Sequence, residues 1–120
     1  MQPASILVAD DDAVARDLLA EALKKEGYAV EAFASGEEVI ARGRQGRVDL
    51  VLTDIRMGAV DGLTVLREFK RMSPDTAVVM LTSFGSLEGA IEAIKQGAYD
   101  YLAKPFKKND IKLVVKRSLD

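Results

Sequence analysis

Apolar residues along this chain alternate between short unbroken runs and runs spaced at three and four, with polar breaks between them. Ile6-Leu7-Val8-Ala9 is an unbroken run of the kind a strand covered on both faces presents. Val14, Leu18, Leu19, Ala22 and Leu23 then recur on one face of a helix that Gly27 closes. Tyr28 to Phe33 restarts a strand, and Ser35 with Glu38 forms a capping box for a short helix to about Gly43. Val48 to Thr53 is a third strand. After a turn from Gly58 to Gly62, a helix carries Leu63, Leu66 and Phe69 until Ser73-Pro74-Asp75 breaks it. Ala77 to Leu81 is almost wholly apolar, and Leu87, Ala90, Ile91 and Ile94 follow at helical spacing up to Gly97. Tyr99 to Ala103 makes a fifth strand, Lys104-Pro105 turns the chain, and Ile111, Val114 and Val115 mark a closing helix.

Five strands alternating with five helices on short connections predict an α/β fold. Each right-handed crossover returns across the sheet, so the sheet is parallel and doubly wound, with helices on both faces. The 120 residues fit one domain, read as residues 1–120, with no internal linker. With 17 basic and 19 acidic residues the chain has no global field to attract nucleic acid or an anionic membrane, so direct nucleic-acid binding is not expected. No window approaches the ~18–20 apolar residues of a membrane span, and the start lacks a basic leader, which favours a cytoplasmic protein. Cysteine is absent, removing disulfides and thiol chemistry. Histidine is absent too, so any chemistry falls to carboxylates, hydroxyls and lysines.

In open α/β sheets ligands bind beyond the carboxyl ends of the strands. The first run ends in Asp10-Asp11-Asp12, the third in Asp54, the fourth in Thr82-Ser83 and the fifth in Lys104-Pro105. Three carboxylates brought together repel one another unless a cation shares the pocket, and a hard divalent ion such as magnesium leaves coordination positions for phosphate oxygens. Lys104 adds a second positive charge. An aspartate in such a pocket can attack phosphorus and form an acyl phosphate, provided metal, lysine and hydrogen-bond donors neutralise the equatorial charge. Taken singly these residues read more plainly: Asp12 as a helix N-cap, Thr82 as a helix-entry residue, Lys104-Pro105 as a turn, Tyr101 as a half-buried strand aromatic. Their shared edge is what raises them.

Ile-Leu-Val-Ala-Asp-Asp-Asp, Asp-Leu-Val-Leu-Thr-Asp-Ile-Arg-Met, Val-Val-Met-Leu-Thr-Ser and Gly-Ala-Tyr-Asp-Tyr-Leu-Ala-Lys-Pro-Phe stand here in one order and spacing. In these the chain resembles the receiver domain of bacterial response regulators over essentially its whole length. The resemblance implies a flavodoxin-like (βα)5 fold with strand order 2-1-3-4-5. It implies Asp54 as phosphoacceptor, and Asp10 and Asp11 as the acidic pair that helps Asp54 hold magnesium or manganese, Asp11 directly and Asp10 through water. Arg56 would add its backbone carbonyl, and Lys104, ahead of a cis bond to Pro105, would pair with the phosphoryl group. Thr82 and Tyr101 would form a switch, the Thr82 hydroxyl moving to the phosphoryl group and Tyr101 rotating inward. Ser83 is an accessory position, and Arg56 and Phe84 occupy positions that tune dephosphorylation. One departure is visible: Met57-Gly58-Ala59 stands where the family most often has Met-Pro-Gly, which frees that loop in the unfolded chain.

The implied function is a phosphorylation-activated switch rather than an enzyme in its own right. The phosphoryl donor would be external, a sensor histidine kinase, a phosphotransfer protein or a small acyl phosphate, since this chain has no histidine and no nucleotide loop. Output would pass through the face made by the fourth helix, fifth strand and fifth helix, with phosphorylation-dependent homodimerisation. The segments around Asp-Ile-Arg-Met and Gly-Ser-Leu-Glu-Gly-Ala-Ile-Glu-Ala-Ile resemble receivers of enhancer-binding transcription regulators, which implies a module excised from a longer chain with a C-terminal output domain. Two rivals stand beside this reading. A degenerate receiver would bind partners without phosphorylation, and a phosphatase of the haloacid dehalogenase type would use Asp10 as its nucleophile, leaving Asp54 without a role.

Overall fold

The computed structural model describes residues 2–83 and 87–120. Strands and helices alternate as β1 (Ser5–Ala9), α1 (Ala13–Lys25), β2 (Ala29–Phe33), α2 (Gly36–Gly43), β3 (Leu50–Asp54), α3 (Gly62–Met72), β4 (Ala77–Thr82), α4 (Leu87–Lys95), β5 (Asp100–Ala103) and α5 (Lys108–Leu119). The five strands form one parallel sheet in the order β2-β1-β3-β4-β5. Most boundaries match the pattern in the sequence to within two residues; one shift matters, because Asp54 is the last residue of β3 rather than the first residue after it.

Each strand feeds two cores, because successive side chains leave the sheet on opposite faces. Leu7, Ala9, Val51, Val78 and Met80 join Val65, Leu66, Phe69 and Val39 beneath α2, α3 and α4. Ile6, Val8, Leu50, Leu52, Val79, Leu81 and Leu102 join Leu19, Leu23, Ile111 and Val115 beneath α1 and α5. The three inner strands are therefore apolar at almost every position, while edge strand β2 exposes Glu31 and Ala32. The sequence signals at the helix starts also hold: Asp12 Oδ1 accepts from the Val14 N–H, and Ser35 Oγ accepts from the Glu38 N–H while donating to Glu38 Oε1.

Two helices pack on a different face from the one the spacing of large apolar residues predicts. In α1 the buried row is Ala15, Leu19, Ala20 and Leu23, and Val14 is 77% exposed. In α4 only Ala90 and Ala93 are buried, while Leu87, Ile91 and Ile94 stand in solvent. At 100° per residue, the apolar stripe of α4 is turned about 90° from its contact with the sheet. Small residues let this helix lie close: a Cβ on Gly89 would stand 3.3 Å from Ile55 Cγ2. With Tyr99, Tyr101 and Leu113, the unburied side chains of α4 make the α4, β5 and α5 side of the molecule rich in exposed apolar groups.

The β3–α3 connection is set by two glycines. Gly58 adopts φ +53°, a left-handed conformation that proline cannot take, so this loop is not the proline-containing turn with one residue changed. Gly62 has ordinary backbone angles, but a Cβ there would lie 2.3 Å from the Asp54 carbonyl oxygen and 2.8 Å from Ile55 Cα. Its N–H donates to the Ile55 carbonyl at 2.8 Å, which draws the start of α3 against the end of β3. Gly62→Ala gains up to ~1 kcal/mol of helix propensity but sets a methyl against backbone that cannot rotate away. We expect a net loss of about 1–3 kcal/mol in urea unfolding; an unchanged midpoint would show that α3 has room to retreat.

Candidate functional site

The strand rows that fill the α1/α5 core run straight into the polar edge. Ile6 and Val8 lead to Asp10, Leu50 and Leu52 to Asp54, Val79 and Leu81 to Ser83, and Leu102 to Lys104, each two residues further on. Asp10, Asp54 and Lys104 therefore meet without any loop having to place them. Thr82 belongs to the other row, after Val78 and Met80, and Tyr101 pairs in register with Met80, so the two share the α3/α4 side of the sheet.

Lys104 is the hinge of the charge arrangement. Its Nζ lies 2.7 Å from Asp10 Oδ2 and 3.2 Å from Asp54 Oδ2, and the Lys104 N–H donates to the Thr82 carbonyl. Burial would lower its pKa, but the two carboxylates outweigh that and hold the ammonium above its ordinary value. The pKa of Asp54 is raised as well, which for a carboxyl group disfavours the charged form. Burial raises its pKa most, the Asp10 charge adds to this, and Lys104 and the Arg56 N–H oppose it without reversing the direction. That N–H donates to Asp54 Oδ1 at 3.3 Å. Asp10 is fully buried whereas the Asp54 side chain keeps 14% of its surface in solvent, so of the two carboxylates that contact Lys104 it is Asp54 that an incoming electrophile can reach.

Oxygens of Asp10, Asp11 and Asp54 all lie within 4.8 Å of one another. Asp10 Oδ2 has no directed hydrogen bond; by distance its contact with Lys104 would count as one, by angle it does not. A buried carboxylate oxygen left in this condition, in a set made wholly of oxygen donors, suits a hard divalent cation. Two oxygens on one Mg2+ stand at most ~4.2 Å apart, twice a bond of ~2.1 Å, so the set needs only a slight closure or one water-bridged carboxylate.

Thr82 is almost fully buried, its hydroxyl donating weakly to the Ser83 carbonyl at 3.2 Å, and Ser83 is exposed. Tyr101 is 40% exposed on edge strand β5. The Lys104–Pro105 peptide is cis. Phe84 lies outside the described residues. One contact was not read from the sequence: Arg16, in the second turn of α1, donates from Nη1 to the Asp10 carbonyl at 2.9 Å. Its only trace was a lone basic residue shortly after the acidic triplet.

Comparison with known proteins follows from this geometry. The family model described as response regulator receiver domain matches residues 6–116. The transcriptional regulatory protein ZraR of Salmonella typhimurium is 39% identical over 114 residues, covering 95% of this chain and 26% of that protein. The DNA-binding transcriptional regulator NtrC of the same organism is 37% identical over 119 residues, covering 99% of this chain and 25% of that protein. Among solved structures, the receiver domain of NtrX from Brucella abortus superposes with a TM-score of 0.91 at 38% identity, covering 95% of this chain and 97% of that one. The chain thus spans about a quarter of the length of the curated relatives it matches.

Proposed function

The chain belongs to the response regulator receiver domain family, and from that membership we propose that it is a switch phosphorylated on Asp54 by a histidine kinase with the help of Mg2+ or Mn2+. The observation that carries this reading is the meeting of Asp10, Asp11, Asp54 and Lys104 at one sheet edge, with Asp54 the more accessible of the two carboxylates on Lys104. A divalent ion bound there would supply charge neutralisation to the transferring phosphoryl group. Asp10, Asp11 and Asp54 would hold it, with the Arg56 carbonyl completing the protein's donors.

The chain's own residues then divide the work. An Asp54 carboxylate oxygen attacks phosphorus as the donor's leaving group departs, forming an acyl phosphate. Lys104 Nζ, already 3.2 Å from Asp54 Oδ2, balances charge on the phosphoryl oxygens. Thr82, whose hydroxyl has only a weak internal bond, is free to turn toward a phosphoryl oxygen, and Tyr101 on the same side of the sheet can move into the space it leaves. A coupling of about 1–3 kcal/mol suffices to remodel the α4, β5 and α5 side, whose exposed Leu87, Ile91, Ile94 and Leu113 suit it to a second copy of the domain. Residues 1–120 would be the receiver module of a longer regulator with a C-terminal output domain acting on transcription, a reading the names of ZraR and NtrC support.

The output half of this reading is tested by amide chemical shifts and sedimentation velocity before and after treatment with acetyl phosphate and Mg2+. Wild type should shift at α4, β5 and α5 and self-associate. Thr82→Ala should take up the phosphoryl group with both responses weakened. Phosphorylated wild type that neither shifts there nor associates would refute the proposed route.

A further inference from the structure

The Asp10-Asp11-Asp12 segment carries two of the three acidic groups of the site, and four of the hydrogen bonds that hold it matter here. The Asp10 N–H donates to the Phe33 carbonyl at 3.1 Å, the Asp12 N–H to Asp10 Oδ1 at 2.9 Å, and the Val14 N–H to Asp12 Oδ1 at 3.0 Å. The fourth is Arg16 Nη1 to the Asp10 carbonyl oxygen at 2.9 Å, a charge-assisted bond from a half-buried side chain. That carbonyl belongs to the peptide joining Asp10 to Asp11. Fixing the plane of this peptide fixes the direction in which both carboxylates leave the backbone.

We infer that Arg16 is a positioning residue for the divalent-cation site: by holding the Asp10–Asp11 peptide it presets the acidic pair for the metal. The choice of acceptor matters. A guanidinium on either carboxylate would occupy the lone pairs that a cation needs, as Lys104 does in part. On the backbone carbonyl, Arg16 adds positive charge beside three carboxylates and leaves their oxygens available. Partners of this kind, one step removed from a metal, change affinity by about 10-fold to 100-fold when removed.

This inference rests on the proposed metal site, and the experiment separates the two. Metal-free wild type, Arg16→Met and Arg16→Lys are titrated with MgCl2 and followed by amide chemical shifts, and hydrogen exchange of the Asp12 amide is measured without metal. Methionine keeps the aliphatic stem and removes the donors. Arg16→Met should bind Mg2+ about 10-fold more weakly, exchange the Asp12 amide faster and leave the exchange of β3 and β4 amides unchanged, with Arg16→Lys falling between it and wild type. Arg16→Met binding within twofold of wild type would overturn the inference. So would loss of its cooperative fold, since the bond would then hold the fold rather than the acidic segment. Wild type that binds no Mg2+ would overturn the metal site itself, and the role of Arg16 with it.

Discussion

Lys104→Met is expected to slow phosphoryl transfer from acetyl phosphate to Asp54 by about 100-fold or more at saturating Mg2+. The lysine is the one cationic side chain that contacts both Asp10 and Asp54 among the described residues, and its pKa is held up by those contacts, so it is charged at neutral pH. Charge that develops on the equatorial oxygens during transfer would meet one positive group instead of two. Removing a single donor of this kind from a preorganised site costs ~10²–10³ in rate. The time course of intact mass measures this directly. Uptake by Lys104→Met within threefold of wild type would mean that the ammonium serves only the resting carboxylates. The same variant should depend more strongly on Mg2+ for its stability, because fully buried Asp10 then has no protein cation against it.

Asp54→Asn is expected to make the metal-free protein more stable at pH 7, although it removes the functional carboxylate. The sign follows from the raised pKa of Asp54. Between the ordinary value of 3.8, taken for the unfolded chain, and its higher folded value, the native state binds more protons than the unfolded state. Stability therefore falls as pH rises through that window, and the loss is complete above the folded pKa. Burial and the Asp10 charge cause it, in that order, and asparagine relieves both while its carbonyl oxygen can still accept from Lys104. Urea unfolding without metal should give a higher midpoint for Asp54→Asn at pH 7. The difference should vanish below about pH 3.8, where the wild-type carboxyl is protonated in both states. Added Mg2+ should stabilise wild type more than the variant. A lower midpoint for Asp54→Asn at pH 7 would mean that Lys104 more than compensates for the crowded carboxylates.

The sheet and the convergence of its polar ends were legible because strands have a period of two. Ile6, Val8, Asp10 and Leu50, Leu52, Asp54 are each one continuous row, so an apolar run that ends in an aspartate says where that aspartate points. Helix facing was less legible. A period near 3.6 places neighbouring stripes about 100° apart, and in α4 the stripe of large residues sits beside the stripe of alanines that packs on the sheet. Reading bulk as burial chose the wrong stripe there, and in α1 it placed Leu19 and Leu23 correctly but Val14 and Leu18 wrongly; the misread residues of α4 are the exposed groups offered to a partner. The freedom that Gly58 gives the unfolded chain follows from its identity, whereas its left-handed φ in the folded protein is revealed by the backbone. The Arg16 contact was beyond reach for another reason: a long side chain bonding a backbone carbonyl six residues away leaves no periodic trace.

Whether Asp54 accepts a phosphoryl group in a site completed by a divalent cation is decided by intact mass after incubation with acetyl phosphate. Wild type with Mg2+ should gain one phosphoryl group, and neither wild type without metal nor Asp54→Asn with it should gain any. A folded wild type that gains none, or an Asp54→Asn variant that gains one as readily, would contradict the account.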